Sequence, residues 1–220
     1  MEDNKVLEFL HNPPKELITT GNEYSELMMR YNCALLEIKT KLDVLNNQLS
    51  LQNDRNPFES ISCRIKSPKS IIEKLYRKKF PISVESIEEN LNDVAGIRVI
   101  CSFRDDIYTL SERLCSQDDI TVIEIKDYIK NPKSNGYRSL HLIIEIPIFL
   151  HDEKRYMKVE VQFRTISMDW WASLEHKIRY KKDVMHQNII EKELLQCANM
   201  AVSLDNKMQE IYDYVIGKKE

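Results

Sequence analysis

Residues 158–165 read KVEVQFRT, with polar and apolar side chains alternating along the chain. A period of two predicts a β-strand with one buried face, which here would carry Val159, Val161 and Phe163. The opposite face then carries the four polar side chains Lys158, Glu160, Gln162 and Arg164. A face of this kind is typical either of an ordinary solvated strand or of a functional site, and the alternation alone does not separate the two.

The composition of the chain limits its class. Its 220 residues suffice for one large domain or for a domain with a helical extension. Hydrophobic residues make up 42% and charged residues 30%, so a packed core is expected. A net charge of −3 provides no overall positive field, which argues against a DNA partner and does not indicate RNA binding.

The sequence also predicts a cellular compartment. It contains no apolar run long enough to span a bilayer, so no membrane association is expected, and its N-terminus lacks a signal-peptide pattern. The cysteines are odd in number and scattered without metal-ligand spacing: Cys33, Cys63, Cys101, Cys115 and Cys197. We therefore expect reduced thiols in a cytoplasmic protein.

Two long helices are predicted near the ends of the chain. From residue 22 to about 51 an apolar stripe recurs at heptad spacing: Tyr31, Leu35, Ile38, Leu42, Leu45 and Leu49. Residues 188–216 carry a second apolar stripe at heptad spacing: Cys197, Ala201, Leu204, Met208, Ile211 and Val215. Because each stripe is narrow, these helices could pack on each other, on a sheet or on another subunit. The chain divides into an N-terminal arm (1–21), a central domain (22–187) and a C-terminal helix (188–220).

Strand and helix patterns alternate within the central domain. Strands are predicted at 97–103, 120–126, 140–147 and 155–164, and the last two form a hairpin. Helices are predicted from Pro68 onward and at 84–91, 105–115 and 166–180. The last of these would bury both of its tryptophans, Trp170 and Trp171, since tryptophans at helical positions usually belong to a core.

The segment 64–79 is strongly basic, with a single acidic residue. Its cations are Arg64, Lys66, Lys69, Lys74, Arg77, Lys78 and Lys79. On a helix that begins at Pro68, the side chains of Ser70, Lys74 and Arg77 are neighbours. A solvated basic face is the simpler interpretation of the residues alone, and an electropositive shelf for a polyphosphate is the functional one.

A second polar cluster lies in residues 126–141. Pro132 and the pair Asn135-Gly136 predict turns. The exit of the segment carries Lys133, Tyr137, Arg138 and His141. A tyrosine beside a flexible glycine can stack on a flat base. An ordinary connection between strands would use the same turn residues, so both interpretations stay open.

Two carboxylates indicate a possible metal site. Asp93 stands just before one predicted strand, and Glu160 lies within another. If these strands are neighbours, both carboxylates point into one cleft, and magnesium prefers one or two carboxylates together with phosphate oxygens and water. Arg98, inside the apolar run 97–103, needs a partner, which a structural ion pair would also supply. The residues suggest phosphoryl-type transfer without placing Asp93 beside Glu160.

Five segments carry a family resemblance when they are taken in order. They are RIKSPKSIIEKLYR (64–77), DVAGIR (93–98), NGYRSLH (135–141), EVQFRT (160–165) and WASLEHK (171–177). Together they resemble the synthetase domain of the RelA/SpoT family over about residues 22–215. The length is similar to that of the stand-alone small alarmone synthetases, RelP-type members most closely, so neither a hydrolase domain nor a regulatory domain is expected.

The resemblance implies a fold and an activity. The fold would be α+β, similar to nucleotidyltransferases: a mixed, largely antiparallel sheet of about five strands flanked by helices, with long N- and C-terminal helices. The enzyme would be a GTP pyrophosphokinase of the stringent response without hydrolase activity. With Mg²⁺ it would transfer the β,γ-pyrophosphate of ATP to the 3′-hydroxyl of GDP or GTP, giving AMP and ppGpp or pppGpp. Relatives also form homotetramers through their terminal helices.

The resemblance also implies roles on the ATP side. Arg64 and Arg98 match the pair that sandwiches adenine, a use that suits planar guanidinium groups. The ATP phosphate clamp corresponds to Lys66, Ser70, Lys74 and Arg77. Asp93 matches the main magnesium ligand. Glu160 matches the residue that activates the acceptor hydroxyl and also touches the metal.

On the acceptor side, Tyr137 matches the residue that stacks on guanine. Lys133, His141 and Gln162 would lie near the acceptor's phosphates and sugar, and Arg138 would also belong to the GDP- or GTP-binding residues. Asp169 stands near guanine, where many relatives carry Asn. A carboxylate there could accept hydrogen bonds from the N1 and N2 donors of guanine.

Three alternatives remain at this point. The same pyrophosphate could go to an adenine nucleotide or to a tRNA 3′ end. The chain could instead be an RNA-binding or regulatory module whose site has decayed. Plain nucleotidyl transfer, the third alternative, usually uses a Gly-Ser start and an Asp-x-Asp pair, which the sequence lacks.

Overall fold

The computed structural model describes residues 21–52, 55–179 and 187–217. Its helices in these ranges are α1 (Gly21–Gln52), α2 (Pro68–Lys78), α3 (Val84–Asn90), α4 (Arg104–Cys115), α5 (Ile166–Arg179) and α6 (Gln187–Val215). Its strands are β1 (Phe58–Ile65), β2 (Ala95–Cys101), β3 (Thr121–Asp127), β4 (Leu140–Phe149) and β5 (Lys154–Thr165). The predicted N-terminal arm lies outside the described residues, apart from its last residue.

The strands form one five-stranded sheet in the order β1-β2-β5-β4-β3. Strands β2 and β5 pair in parallel, and the other three neighbouring pairs are antiparallel. The predicted mixed, largely antiparallel sheet is therefore confirmed, as is the hairpin of β4 and β5. Strand β5, which carries KVEVQFRT, lies at the centre of the sheet.

One face of the sheet is apolar and covered by helices. The side chains of Val159, Val161 and Phe163 are fully buried, as the alternation predicted. Helix α1 packs against β1, β2, β4 and β5, and its buried stripe includes Ile38 and Leu42. Burying each such side chain contributes roughly 1.5–3 kcal/mol. The narrow stripe of the first helix is thus accounted for by the sheet.

The other face of the sheet is polar. Directly paired residues point to the same face of a sheet, so the register shows which side chains meet there. Gly96 pairs with Arg64 on β1 and with Glu160 on β5. Gln162 pairs with Arg98 on β2 and with His141 on β4. The alternating pattern of four strands therefore brings the predicted site residues onto a single surface.

Side-chain caps fix two helices at the edge of this surface. The hydroxyl of Ser67 accepts a hydrogen bond from the backbone N–H of Ser70, and Pro68 begins α2. The predicted start of this helix is therefore correct. Thr165, the last residue of β5, caps α5 by accepting the backbone N–H of Met168 at 3.2 Å.

Several polar contacts attach helix α6 to the rest of the chain. The hydroxyl of Thr165 donates to Oδ2 of Asp205 at 2.6 Å, and Nε1 of Trp171 donates to the carbonyl of Leu194 at 2.8 Å. The buried side chain of Gln209 accepts the backbone N–H of Asp105 at 3.2 Å. These contacts use a different face of α6 from the predicted apolar stripe.

The apolar stripe of α6 borders an open groove. The groove has a volume of about 820 Å³ and an apolar wall that comprises Phe103, Ile166, Trp170, Met200, Leu204 and Met208. We call it the α6 groove. Leu204 on its wall is 58% exposed. Within the described residues, the stripe of the last helix is therefore not buried by its own chain, unlike that of α1.

Two details of the sequence analysis need correction. Trp171 is buried as predicted, but Trp170 is 55% exposed, because consecutive residues of a helix point in directions about 100° apart. The pattern analysis also placed no strand at β1, Phe58–Ile65. This strand lies at an edge of the sheet and is mostly exposed, so its alternation is weak.

None of the helices in the described ranges combines the length and the apolar character that a membrane span requires. All five cysteines are free thiols.

Candidate active site

The first part of the site is a carboxylate held by two lysines. Asp93 lies just before β2, and its Oδ2 accepts hydrogen bonds from Nζ of Lys66 and Nζ of Lys74, each at 2.7 Å. Lys66 follows β1 and Lys74 lies on α2, so three segments meet at one oxygen. The basic segment is therefore not simply a solvated helix face.

The second carboxylate oxygen of Asp93, Oδ1, is buried and has no hydrogen-bond partner within the described ranges. Burial raises the pKa of Asp93, but the hydrogen bonds from Lys66 and Lys74 outweigh this effect and hold the pKa below its ordinary value. Asp93 is therefore ionised at neutral pH. Leaving a buried acceptor without a partner is costly, and a bound cation would satisfy this oxygen.

The second part of the site is Glu160, at the centre of β5. Its Oε1 accepts from Nδ1 of His141 at 3.0 Å, and its Oε2 accepts from Nε2 of Gln162 at 2.7 Å. Burial raises the pKa of Glu160, yet these two neighbours, His141 above all, lower it below its ordinary value. The negative charge of Asp93 acts in the opposite direction, so the two carboxylates are close enough to interact.

The pairing of β2 with β5 explains this proximity. Gly96 lies beside Glu160 in the parallel register, and Asp93 is three positions before Gly96. Within the described part of the chain, no group of three or more histidine, cysteine or acidic side chains is placed to hold a metal ion. Two carboxylates beside lysines suit a hard divalent cation that takes its other ligands from phosphate and water.

A chain of hydrogen bonds leads from Arg164 to Glu160. Nη2 of Arg164 donates to the hydroxyl of Tyr137 at 2.8 Å, and this hydroxyl is 2.8 Å from Nε2 of His141. Because the Glu160 carboxylate only accepts, Nδ1 of His141 carries a proton. When the ring is neutral, Nε2 accepts a hydrogen bond from the hydroxyl of Tyr137. Every hydrogen bond of the chain is then donated in the direction of Glu160.

The loop that presents Tyr137 is tightly constrained. Gly136 has φ +90°, and a Cβ atom at this position would lie 2.6 Å from Cβ of Ala198 on α6. A side chain is therefore excluded both by the backbone conformation and by the helix. Oδ1 of Asn135 accepts the backbone N–H of Tyr137, and Nζ of Lys133 lies 4.9 Å from the centre of the Tyr137 ring.

Two arginines converge on Asp169, in the first turn of α5. Its Oδ1 lies 2.8 Å from Nη1 of Arg164 and 3.2 Å from Nη1 of Arg98. Burial and the nearby charge of Arg164 lower the pKa of Arg98. Arg98 thus has an ion pair and also belongs to the polar sheet face. Arg64 is exposed on the same face, with its side chain over Gly96.

The remaining predicted residues lie in different parts of the structure. Ser70 lies in the first turn of α2, where its hydroxyl oxygen is 3.0 Å from that of Ser67, and Arg77 is exposed in the last turn. Arg138 lines a small cavity, about 10 Å³, together with Trp171 and residues of α6. Its Nη1 is buried without a hydrogen-bond partner in the described ranges, and burial lowers its pKa. Arg138 is therefore not part of the hydrogen-bond chain to Glu160.

Arg164 was not among the predicted site residues, although it donates hydrogen bonds to three of them, Tyr137, Gln162 and Asp169. The alternation of KVEVQFRT placed it on the polar face, and this was the available signal. What the alternation did not show is that Arg164 is only 5% exposed, with its guanidinium beneath Tyr137 and Asp169.

The fold and the site define a class of protein. A pair of ionised carboxylates lies on an open sheet face, between a lysine cluster and an aromatic–guanidinium cluster, which is the arrangement expected of an enzyme that transfers phosphoryl groups between nucleotides. The sequence matches the family described as "Region found in RelA / SpoT proteins" over residues 63–185, more than half of the chain. The chain belongs to the RelA/SpoT family.

Similar proteins cover nearly the whole chain. GTP pyrophosphokinase YwaC of Bacillus subtilis is 43% identical over 195 residues, which are 88% of this chain and 92% of that protein. The small alarmone synthetase 1 of B. subtilis, solved with its product pppGpp, has a TM-score of 0.81 and 34% identity, covering 88% and 98% of the two chains. Small alarmone synthetase 2 has a TM-score of 0.77 and 44% identity, covering 87% and 98%.

The lysines around Asp93 should compete with a metal ion. We expect Lys66→Met to increase the affinity of the nucleotide-free protein for Mn²⁺ about tenfold, or about 1.4 kcal/mol, because Asp93 loses one of its two ammonium partners. Titration of free Mn²⁺ by electron paramagnetic resonance measures this. The matched control is Lys69→Met, an exposed lysine in the first turn of the adjacent helix α2, and equal affinities in the two variants would contradict the expectation.

The same substitution should change acid stability. Because the pKa of Asp93 is lowered in the folded state, its contribution to stability exists above the unfolded pKa and is lost as pH falls through the folded pKa. In Lys66→Met the folded pKa rises, so the acid-unfolding midpoint should move to higher pH. Far-UV circular dichroism during acid titration measures the midpoint, and Lys69→Met should leave it in place.

Proposed function

We propose that this chain is a GTP pyrophosphokinase, that is, a (p)ppGpp synthetase. It transfers the β,γ-pyrophosphate of ATP to the 3′-hydroxyl of GDP or GTP, producing AMP and ppGpp or pppGpp. The observation that carries the proposal is the position of Asp93 and Glu160 between the lysine cluster and the Tyr137 network. Donor and acceptor nucleotides would meet at these two carboxylates.

On the donor side, cationic groups would bind ATP. Lys66 and Lys74 would turn from Asp93 to the phosphates, assisted by Ser70 and Arg77 of the same segment. Arg64 and Arg98, on the same sheet face, would stack on the two sides of adenine. This division fits the electrostatics, because the phosphates would replace one carboxylate as the partner of two lysines.

Pyrophosphokinases of this family need a divalent metal, and we propose Mg²⁺. Asp93 would hold it mainly through Oδ1, the buried oxygen that lacks a partner in the described structure, and Glu160 would contribute from the neighbouring strand. The bound ion would neutralise the charge of the phosphates during transfer. Because the pKa values of both carboxyl groups are lowered, both ligands are ionised at neutral pH.

Glu160 would also act on the acceptor. His141 and Gln162 hold one oxygen each, so the carboxylate has a fixed orientation, and each oxygen retains a free lone pair. We propose that Glu160 accepts the proton of the 3′-hydroxyl as this hydroxyl attacks the β-phosphorus. Positioning then supplies much of the rate enhancement, because transfer of a phosphoryl group needs little covalent assistance from the protein.

The acceptor base would lie against Tyr137. Its ring is held by Arg164 and lies near Lys133, which would bind phosphates of the acceptor together with His141. Asp169, at the other end of the network, would accept hydrogen bonds from guanine. The contribution of Arg138 would be to support the loop backbone, because its guanidinium faces the cavity beside α6.

Product analysis tests the proposal. With β- or γ-labelled ATP and either guanine nucleotide, thin-layer chromatography should show labelled ppGpp or pppGpp, together with AMP. Label on an adenine nucleotide or on a tRNA 3′ end instead would establish the alternative acceptor. Release of pyrophosphate would indicate nucleotidyl transfer, and the absence of AMP with every acceptor would indicate a module without catalytic activity.

Glu160→Gln should abolish synthesis while leaving ATP binding largely intact, because the amide keeps the shape of the side chain but removes its charge. We expect a loss of at least 100-fold in turnover, the lower range for general base catalysis. The matched control is Glu145→Gln, on the adjacent strand β4. Near-normal turnover by Glu160→Gln would eliminate this residue as the base.

Tyr137→Ala should mainly raise the KM for the guanine nucleotide. Base stacking contributes about 1–3 kcal/mol by alanine substitution, so the increase should be about 5- to 150-fold. Steady-state kinetics with each substrate varied in turn measures this, and Tyr156→Ala, an exposed tyrosine of β5, is the control. An increase confined to the KM for ATP would reassign the loop to the donor.

We propose that residues 22–187 form the synthetase domain, that 188–220 form the oligomerisation element, and that the enzyme works as a cytoplasmic homotetramer. The α6 groove supports this assembly, because its wall leaves Met200 and Leu204 exposed. Light scattering should give a tetramer for the wild type and smaller species for Leu204→Glu. Phe149→Glu, exposed on the β4–β5 hairpin, should not change the mass, and a monomeric wild type would refute the assembly.

A further inference from the structure

Arg164 donates hydrogen bonds to three of the predicted acceptor-side residues, and it is almost inaccessible. Its Nη1 donates to Oδ1 of Asp169 at 2.8 Å. Its Nη2 donates to the hydroxyl of Tyr137 at 2.8 Å and to Oε1 of Gln162 at 3.2 Å. With 5% of its surface exposed, Arg164 offers little area to a ligand, so its effect on a bound nucleotide must pass through the groups that it holds.

These groups have complementary tasks in the proposed function. The ring of Tyr137 offers a flat surface to a base, and the carboxylate of Asp169 can accept hydrogen bonds from the edge of a base. Guanine presents two adjacent donors, N1–H and the 2-amino group, whereas adenine presents an acceptor at N1. Recognition of guanine therefore requires the Tyr137 ring and the Asp169 carboxylate at a fixed separation. The planar guanidinium of Arg164 is hydrogen-bonded to both residues.

We propose that Arg164 is a positioning residue that sets guanine specificity by holding Tyr137 and Asp169 in one rigid frame. The inference rests on the proposed function for the identity of the base. A guanidinium suits this task because its two terminal nitrogens donate in fixed directions within one plane. Lysine would keep the positive charge but not the fixed bridge between two partners.

Arg98 does not take over this role of Arg164. It also reaches Oδ1 of Asp169, at 3.2 Å, but no hydrogen bond joins it to Tyr137 within the described residues. Without Arg164, the carboxylate would keep a cation while the tyrosine hydroxyl would keep only His141. The expected result is a weaker and less selective base site with an unaltered donor site.

Equilibrium binding tests the frame directly. Isothermal titration calorimetry would compare GDP, inosine 5′-diphosphate and ADP on the full chain and on Arg164→Lys, each with the donor site saturated by a non-hydrolysable ATP analogue. The inosine nucleotide lacks the 2-amino group, so the wild type should prefer GDP by about tenfold, the value of one hydrogen bond. Arg164→Lys should weaken GDP binding at least about tenfold and bring the ratio of GDP to inosine nucleotide close to one.

Matched variants separate this role from a general loss of structure. Arg155→Lys changes an exposed arginine of the same strand and should leave both measurements unchanged. An ATP analogue should bind Arg164→Lys as it binds the wild type. Turnover should show a raised KM for the guanine nucleotide, with the KM for ATP within about twofold, because the hydrogen bonds of Arg164 in the described structure go to Tyr137, Gln162 and Asp169 and not to the proposed donor-side groups.

A second variant leaves Arg164 itself unaltered. Tyr137→Phe keeps the ring but removes the oxygen that Arg164 holds, so it should weaken GDP binding severalfold. In the Arg164→Lys background the same change should have little further effect, since coupled residues are not additive. If Arg164→Lys does not fold, Tyr137→Phe alone decides, and wild-type GDP affinity in that variant would overturn the proposal.

The results distinguish this inference from the proposed function. Unchanged GDP affinity and selectivity in folded Arg164→Lys, or fully additive effects of the two substitutions, would reject the role of Arg164 while leaving synthesis by the wild type in place. A wild type that binds ADP as tightly as GDP would refute both the guanine acceptor and the frame. A wild type that binds GDP selectively but makes no product would refute only the proposed activity.

Discussion

The parallel pairing of β2 with β5 determines the geometry of the site. It sets Gly96 beside Glu160 and Arg98 beside Gln162, although the two strands are far apart in the sequence. The pairing is held by the buried side chains of both strands on the opposite face, under α1. A shift of one residue would turn Glu160 into the core, so the packing that stabilises the domain also fixes the carboxylates.

Charge is balanced locally across the site rather than across the whole molecule. Two lysines hold Asp93, one histidine and one amide hold Glu160, and two arginines hold Asp169. Such pairing lets ionised groups remain partly buried without nucleotides, because each charge has a partner of opposite sign or a hydrogen bond. In the proposed function, substrate binding would be an exchange of partners, which costs less than removing unpaired charges from water.

The sequence was informative where a periodic pattern faced a large buried surface. It predicted the two faces of β5, the cap of α2 and the α4 helix to within a residue or so, because burial imposes the period directly. It did not locate β1, an exposed edge strand whose place depends on pairing with β2. Proximity of Asp93 to Glu160 followed only from the family likeness, because strand order is set by long-range contacts that no local pattern records.

The sequence was also insufficient to predict the burial of some single residues. Trp170 and Trp171 are adjacent and chemically identical, so only the direction of helix α5 in the fold decides which one is buried. Arg164 occupies a polar position in the alternation of β5. Its burial, however, depends on Tyr137 and Asp169, which come from a distant loop and from the next helix. The close approach of Gly136 to Ala198 has a similar origin and an evolutionary consequence: the backbone conformation holds position 136 to glycine, and the small residue at position 198 leaves room for the loop. Any enlargement of position 198 would push on the loop that carries Tyr137, so the sequence of the terminal helix is constrained by the loop to which we assign nucleotide recognition.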